Sequence, residues 1–412
     1  MTAGALTRPR DLFPSSGARR AGELGATASA LLVLFGLLLP IMRYLAVAGE
    51  RANLCAADAV LLPLALALRK RWLRSGALGR WLFALWVVNL ISWSLSLSML
   101  APQAFLREAL KVITCLLYAL VGYGLGSSVR SERVFLRSLT ASSVIISLGA
   151  VCAYVARQPA FLITDSRVVG TFTDPNAFGV FLAMQIALAG SVRAAWLIIP
   201  IFLAGGAVTL SRTGLLSMIA SLTLSALHIG WRRFLVIMAI CLLVVAGAWR
   251  TFTANSLSRR IARYETTLGN RQELWSRALR AAAERPLFGI GRGNWEVVTR
   301  RRDVAHNTFL QVIADVGFVG FLVFVAPLAF WLGAGVKRRA TRPWAIALCI
   351  GLVGGLAISL DNFRLFWLAV GVLVAKLATE TRAERVRAQR SLPSIPVARH
   401  SAEAVVREQE WR

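Results

Sequence analysis

Three residues in this 412-residue sequence belong to types that do group-transfer chemistry and sit where packing alone does not call for them. Arg212 follows Ser211 at the start of an apolar run, in Ser211-Arg212-Thr213-Gly214. Serine is a favoured helix N-cap. That puts Arg212 in the first turn, where the helix dipole opposes a cation. An anion bound at that end reverses the sign, because backbone N–H groups and the guanidinium then share it. The packing alternative is an arginine that snorkels to a membrane interface. Arg271 lies in Asn270-Arg271-Gln272-Glu273, where Asn followed three residues later by Glu resembles a capping box. The helix so opened runs to about Glu284, before Pro286. A 3.6-residue period puts Arg271, Trp275, Ala278 and Ala282 on one face and Glu273, Arg277, Arg280 and Glu284 on the other. Arg271 therefore either stacks on Trp275 as packing or holds a ligand. The helix already offers a polar face to an arginine that needs only water. His306 opens a further apolar run. A helix N-terminus favours the neutral imidazole that a general base requires, and Asp303, three residues earlier, is placed to cap that helix. The competing reading of a lone histidine is structural.

Other signals are weaker. Gly289-Ile290-Gly291-Arg292-Gly293 lacks the strand–turn–helix surroundings of a dinucleotide site. It is either a backbone nest for phosphate or a plain turn after Pro286. Asp174-Pro175-Asn176 reads as an N-cap with Pro at the first helical position. The sequence has no Asp-x-Asp pair, so a carboxylate-held metal has no obvious ligands. Cys55, Cys115, Cys152, Cys241 and Cys349 all lie in apolar runs, without a CxxC or Cys/His cluster, and read as small buried hydrophobes.

The elements that must position these residues follow from composition. Hydrophobic residues make up 57% of the chain and charged residues 16%, against roughly 25% charged in ordinary soluble domains. Mean hydropathy is +0.63. A water-soluble enzyme is excluded. The net charge of +27 does not mark a nucleic-acid binder, because the basic residues cluster between long apolar runs, as in a multi-span membrane protein. Twelve runs approach the roughly 20 residues of a spanning helix: 24–42, 52–68, 78–100, 104–125, 134–156, 173–190, 193–209, 212–229, 232–249, 307–334, 343–360 and 362–379. The second is short and carries Asp58. Lys and Arg concentrate in alternate loops: Arg69-Lys70-Arg71 with Arg74, Arg130 with Arg133, Arg193, Arg232-Arg233, and Lys337-Arg338-Arg339 with Arg342. These loops and both termini are expected in the cytoplasm. The expectation is an all-α integral membrane protein of about twelve spans. A cytoplasmic segment 1–23 precedes helices one to nine over 24–249. An outer loop, 250–306, contains short helices. Helices ten to twelve occupy 307–379, and a charged cytoplasmic tail 380–412 follows. The outer loop holds twelve arginines, no lysine and five acidic residues. Arginine in place of lysine favours bidentate binding of phosphate or carboxylate; the alternative is a loop resting on anionic lipid headgroups. On this topology Arg212, Arg271 and His306 share the outer side, while His228 and His400 are cytoplasmic.

These residues resemble the O-antigen ligase and polymerase superfamily of bacterial envelope membrane proteins. His306-Asn307, nine residues, Gly317, two residues and Gly320 resemble its His-polar-x9-Gly-x2-Gly pattern. Arg212 with Leu216 resembles its Arg-x-x-x-Leu element. Gly170-Thr171-Phe172-Thr173-Asp174-Pro175-Asn176, Arg271-Gln272-Glu273-Leu274-Trp275 and Pro286-Leu287-Phe288-Gly289-Ile290-Gly291 are also similar to family sequence. The resemblance covers about 165 to 330; the N-terminal half matches only in having helices. It implies a metal-independent, inverting glycosyltransferase of the bacterial inner membrane, with its site facing the periplasm and no cofactor. The donor is a glycan on undecaprenyl pyrophosphate. A ligase moves it to lipid A–core oligosaccharide; a polymerase, including exopolysaccharide polymerases, moves it to another lipid-linked repeat; a related group moves it to protein. One large outer loop resembles the ligase more than the polymerase. The implied roles are Arg212 and Arg271 on the pyrophosphate and His306 as base, with Arg167, Asp174, Arg292 and Asn307 as secondary candidates. A function of another class, a flippase or carrier for lipid-linked oligosaccharide, calls for internal repeats and ionisable groups near midplane. No repeat is visible, and Asp58 and Lys111 are the few candidates.

Overall fold

Backbone N–H and C=O groups in a membrane find partners only within the chain, so apolar runs of this kind fold as helices. The computed structural model describes residues 25–42, 46–47, 50–51, 54–99, 102–158, 162–163, 167–190, 195–229, 235, 239, 254–300, 304–360 and 363–391. Helices occupy Ala26–Leu38 (α1), Asp58–Ala67 (α2), Arg69–Trp72 (α3), Gly76–Leu95 (α4), Pro102–Gly126 (α5), Val129–Val155 (α6), Pro175–Ala189 (α7), Ala195–Ala207 (α8), Arg212–Ile229 (α9), Ala254–Glu284 (α10), Trp295–Thr299 (α11), Thr308–Lys337 (α12), Arg342–Gly354 (α13) and Arg364–Ser391 (α14). A 3-10 turn at Leu97–Met99 and two short antiparallel pairs complete the described elements: Ala46–Val47 (β1) with Glu50–Arg51 (β2), and Leu162–Ile163 (β3) with Arg167–Val168 (β4). By length and composition α4, α5, α6 and α12 suffice to cross a membrane; α1, α2, α7, α8 and α13 are apolar but shorter. The protein is thus a mainly helical membrane protein.

Eleven of the twelve expected runs fall on helices. The ninth, 232–249, lies outside the described residues apart from 235 and 239. The last helix continues to Ser391, through the expected start of the tail at 380. Its extension is held to the end of α12 by Arg338, which pairs with Glu384 at 3.1 Å and Glu380 at 3.5 Å.

Close helix crossings use glycine, since helices in lipid associate through packing and not through exclusion of water. A Cβ on Gly122 of α5 would lie 2.2 Å from Leu368 O, and one on Gly371 of α14 would lie 1.9 Å from Ala119 O. Charges inside the bundle are paired, as their desolvation cost demands. Arg364 meets Asp58 at 2.8 Å, and the Tyr118 hydroxyl donates to the same carboxylate at 2.8 Å. Lys376 and the Trp344 indole both reach Glu132, at 2.7 and 2.6 Å. Lys111 pairs with Glu108 at 2.5 Å. Asp58 and Lys111, the midplane candidates named from the sequence, are therefore both in ion pairs.

The fold is interrupted where it matters most. Inside α12, Gly317 adopts φ 69°, ψ −172°, and the helix breaks. The loop after α10 fills the break with backbone. Ile290 and Gly291 donate to Ala314 O and Asp315 O at 2.9 Å each, while Phe318 and Val319 donate to Pro286 O at 2.7 Å and Leu287 O at 3.2 Å. Ser92 of α4 closes the junction, its hydroxyl 2.6 Å from Phe288 O and 2.9 Å from Asp315 O. Gly317 is required twice over. Its positive φ disfavours a side chain, and a Cβ there would lie 2.3 Å from Leu287 C and O. The glycine-rich stretch is thus a structural clasp. The amides of Gly289, Ile290 and Gly291 are taken by Arg285 O and by α12, so they are engaged within the fold.

Candidate active site

The site is built on the start of α7 and the start of α9, which touch backbone to backbone. A Cβ on Gly179 would lie 2.7 Å from Gly214 Cα, so glycine at both positions lets the two N-termini stand side by side. Asp174 caps α7, accepting from Asn176 N at 2.8 Å, with Pro175 in the first turn. Ser211 caps α9, accepting from Gly214 N at 2.9 Å. Asn176 joins the two caps: its side-chain oxygen accepts from Ser211 Oγ at 2.7 Å and from Arg167 at 3.2 Å. Arg167, on β4, also donates Nε–H to Thr209 O at 3.2 Å. Leu210, just before the α9 cap, has φ +52°. Such a conformation in a non-glycine residue costs about 1–3 kcal/mol and tends to occur at functional sites. Arg212 projects from this junction and is exposed.

Arg271 comes from the loop helix α10. The sequence places a helix start at Asn270, but α10 runs unbroken from Ala254, so Asn270 and Glu273 form no capping box. Tertiary and upstream helical continuity outweigh a local signature worth about 1 kcal/mol. The expected end at Glu284 stands. The buried face is Leu274, Ala278 and Ala281, with Arg271, Trp275 and Ala282 half-buried at its edges. Arg277 and Glu273, expected on one face, pair at 2.7 Å, and Arg277 also donates to Thr299 O, tying α10 to α11. Arg271 has Arg212 and Asp174 within electrostatic reach. Burial lowers its pKa, Asp174 raises it and Arg212 lowers it further. Asp174 and Arg212 thus both act electrostatically on the half-buried Arg271, and an anion there would relieve the repulsion between the arginines.

His306 precedes α12. It is half-buried and has φ +47°. The cap of α12 is Asn307, whose side-chain oxygen accepts from Phe309 N at 3.0 Å and Leu310 N at 3.1 Å. The expected cap, Asp303, lies outside the described residues. Asn307, a secondary candidate, is therefore engaged as a cap. The residues around His306 are fixed. Trp275 of α10 donates its indole N–H to Ala305 O at 3.0 Å, one helical turn from Arg271. Thr308 N donates to Gly355 O at 2.7 Å. The helix that carries Arg271 is thus hydrogen-bonded to the residue before His306.

Arg292 lines a narrow, mostly apolar cavity between α4, α5, α12 and α14, together with Leu85, Asn89, Val112, Val312, Phe324 and Trp367. Trp93 anchors this loop through Arg292 O at 3.0 Å. Asn89 is 5% exposed; its amide donates to Leu85 O at 2.7 Å, and its oxygen has no hydrogen-bond partner among the described residues. Sequence reasoning missed Asn89 and Gln311, each a polar amide within an apolar run, and named Asn176 only as part of the Asp174 cap and the family-like stretch. That incongruity was the available signal. Among the described residues no group of three His, Cys, Asp or Glu side chains is arranged to hold a metal ion.

Residues 178–325 match the family model described as O-antigen ligase. The matched span includes Arg212, Arg271, Arg292, His306 and Asn307, and leaves Arg167 and Asp174 just outside. No curated protein matches the chain. Residues 178–325, from the first turn of α7 to the middle of α12, thus form a domain of the O-antigen ligase and polymerase superfamily.

Proposed function

We propose that the protein is an O-antigen ligase of the bacterial inner membrane. In this reading it moves a glycan from undecaprenyl pyrophosphate to lipid A–core oligosaccharide on the periplasmic face. The observation that carries this is Arg271, half-buried beside Arg212 and Asp174 on a helix bonded through Trp275 to the His306 segment. A hydroxyl oxygen of the acceptor attacks the anomeric carbon of the donor, and its proton passes to His306. The bond from that carbon to the pyrophosphate oxygen breaks, and the electron pair leaves with the pyrophosphate. Arg271 and Arg212 stabilise the developing charge. Direct displacement inverts the anomeric centre. The carrier reading lacks the internal repeat that such proteins show in their sequences.

The test is reconstitution of the purified protein with a lipid-linked glycan and lipid A–core. Extension of the core supports the ligase. Extension of the lipid-linked repeat alone identifies a polymerase, and translocation without transfer a carrier. Transfer should continue at an unchanged rate in EDTA. Loss of turnover that a divalent ion restores would show that charge stabilisation by arginine is insufficient.

The twelve-span arrangement with both ends cytoplasmic is part of this proposal. Leu279, 55% exposed on α10, is a place to check it. In intact spheroplasts, a Leu279→Cys variant should react with an impermeant maleimide added from outside. Labelling only after the membrane is opened would put the arginine cluster on the wrong side for this chemistry.

A further inference from the structure

We infer that Trp275 and Gln311 are positioning residues that hold His306 in its left-handed conformation and align it with Arg271. This rests on the assignment of His306 as base. The peptide before His306 is gripped at both ends. Ala305 N donates to Gln311 Oε1 at 3.0 Å, and Ala305 O accepts from Trp275 Nε1 at 3.0 Å. Gln311 is 5% exposed and is itself fixed, donating Nε2–H to Asp315 Oδ1 at 2.9 Å. Asp315 O receives Gly291 N, so the chain of bonds ends in the clasp at the α12 break. On the far side, the Asn307 cap and the Thr308 bonds to Gly355 O and Ile358 O fix the residues that follow. His306 therefore has a positive φ imposed from both sides. One of the gripping groups belongs to the helix that bears Arg271, four residues before Trp275. Trp275 has a packing role as well, half-buried against the small core of α10, but packing does not explain an indole N–H aimed at this one carbonyl. A displacement of about 1 Å at a reacting group costs on the order of 10²-fold in rate, and the Trp275 bond sets the register between base and arginine on that scale.

The experiment is a double-mutant cycle in the reconstituted full-length protein. Trp275→Phe keeps the ring and removes the N–H. It should lower the maximal transfer rate by about 10²-fold and leave the donor KM unchanged. In a His306→Asn background the same change should alter the residual rate by less than about twofold, because residues acting through one group are not additive. Gln311→Glu should also impair turnover, by placing its carboxylate against Asp315. Adding Asp315→Asn to it restores a donor–acceptor pair and should recover the rate. This pair serves if Trp275→Phe fails to fold. An equal loss from Trp275→Phe with and without His306 overturns the inference while leaving the base in place. A wild-type rate in His306→Asn alone removes the base and this inference together.

Discussion

Replacing His306 by alanine is expected to lower the transfer rate at saturating acceptor by about 10²–10⁴-fold, the range for loss of a general base, while the donor still binds. The backbone makes the choice of variants important. His306 sits at φ +47°, where alanine is strained and asparagine is tolerated better. Alanine therefore loses both the imidazole and some local order. His306→Asn keeps the left-handed turn and an uncharged polar group but supplies no base. Both variants should be slow, with donor affinity near wild type, because the arginines contact the pyrophosphate independently of the imidazole. If His306 serves only to bind the acceptor or hold the loop, His306→Asn will raise the acceptor KM and leave the maximal rate nearly intact. That outcome ends the base assignment and leaves the arginine site standing. Measuring rate against acceptor concentration, with folding monitored by thermal transition, separates the cases.

The helices were legible because apolar runs in lipid have one way to satisfy their backbone. Legibility fell where a local signature competed with tertiary context. Asn270 and Glu273 have the spacing of a capping box, yet α10 passes through them because helical residues continue upstream. The Asp174 and Ser211 caps could be read because each precedes an abrupt rise in apolar content. The break at Gly317 could not. The His-polar-x9-Gly-x2-Gly pattern marks the glycine, but what fills the break is backbone from residues 286–291, and no side chain records that pairing. The same holds for the site. Arginine on an apolar face singled out Arg271, while its grouping with Asp174 spans about a hundred residues of chain and depends on the Gly179–Gly214 crossing. Two glycines so far apart carry no visible sign that they meet.

Arg271→Lys is expected to lose most of the contribution of Arg271 although it keeps the charge. Removing one preorganised donor to a developing oxyanion costs about 10²–10³-fold in kcat, and Arg271→Ala should reach that range. Lysine restores a point charge without the planar fork that grips two phosphate oxygens, so it should recover only part of the loss. The surroundings add a second handicap. Burial and the neighbouring Arg212 both disfavour a cation at this place, and Asp174 favours one. An arginine tolerates that balance, its ordinary pKa lying above about 12. A lysine starts near 10.4, and the same burial and the same neighbour push it lower. A group with a lowered pKa is charged below that value and loses its charge as pH rises through it. Residual activity of Arg271→Lys should therefore decline on the alkaline side at a pH below that of ordinary lysine titration, whereas the wild type shows no such limb from this position. If Arg271 acts only in the transition state, kcat and kcat/KM fall together; a rise in KM with kcat unchanged would mean that it binds donor and transition state equally. Asp174→Asn probes the same balance from the other side. With the carboxylate gone, the alkaline limb of Arg271→Lys should move to still lower pH in the double variant, and a limb that stays put would show that Asp174 does not act on this cation.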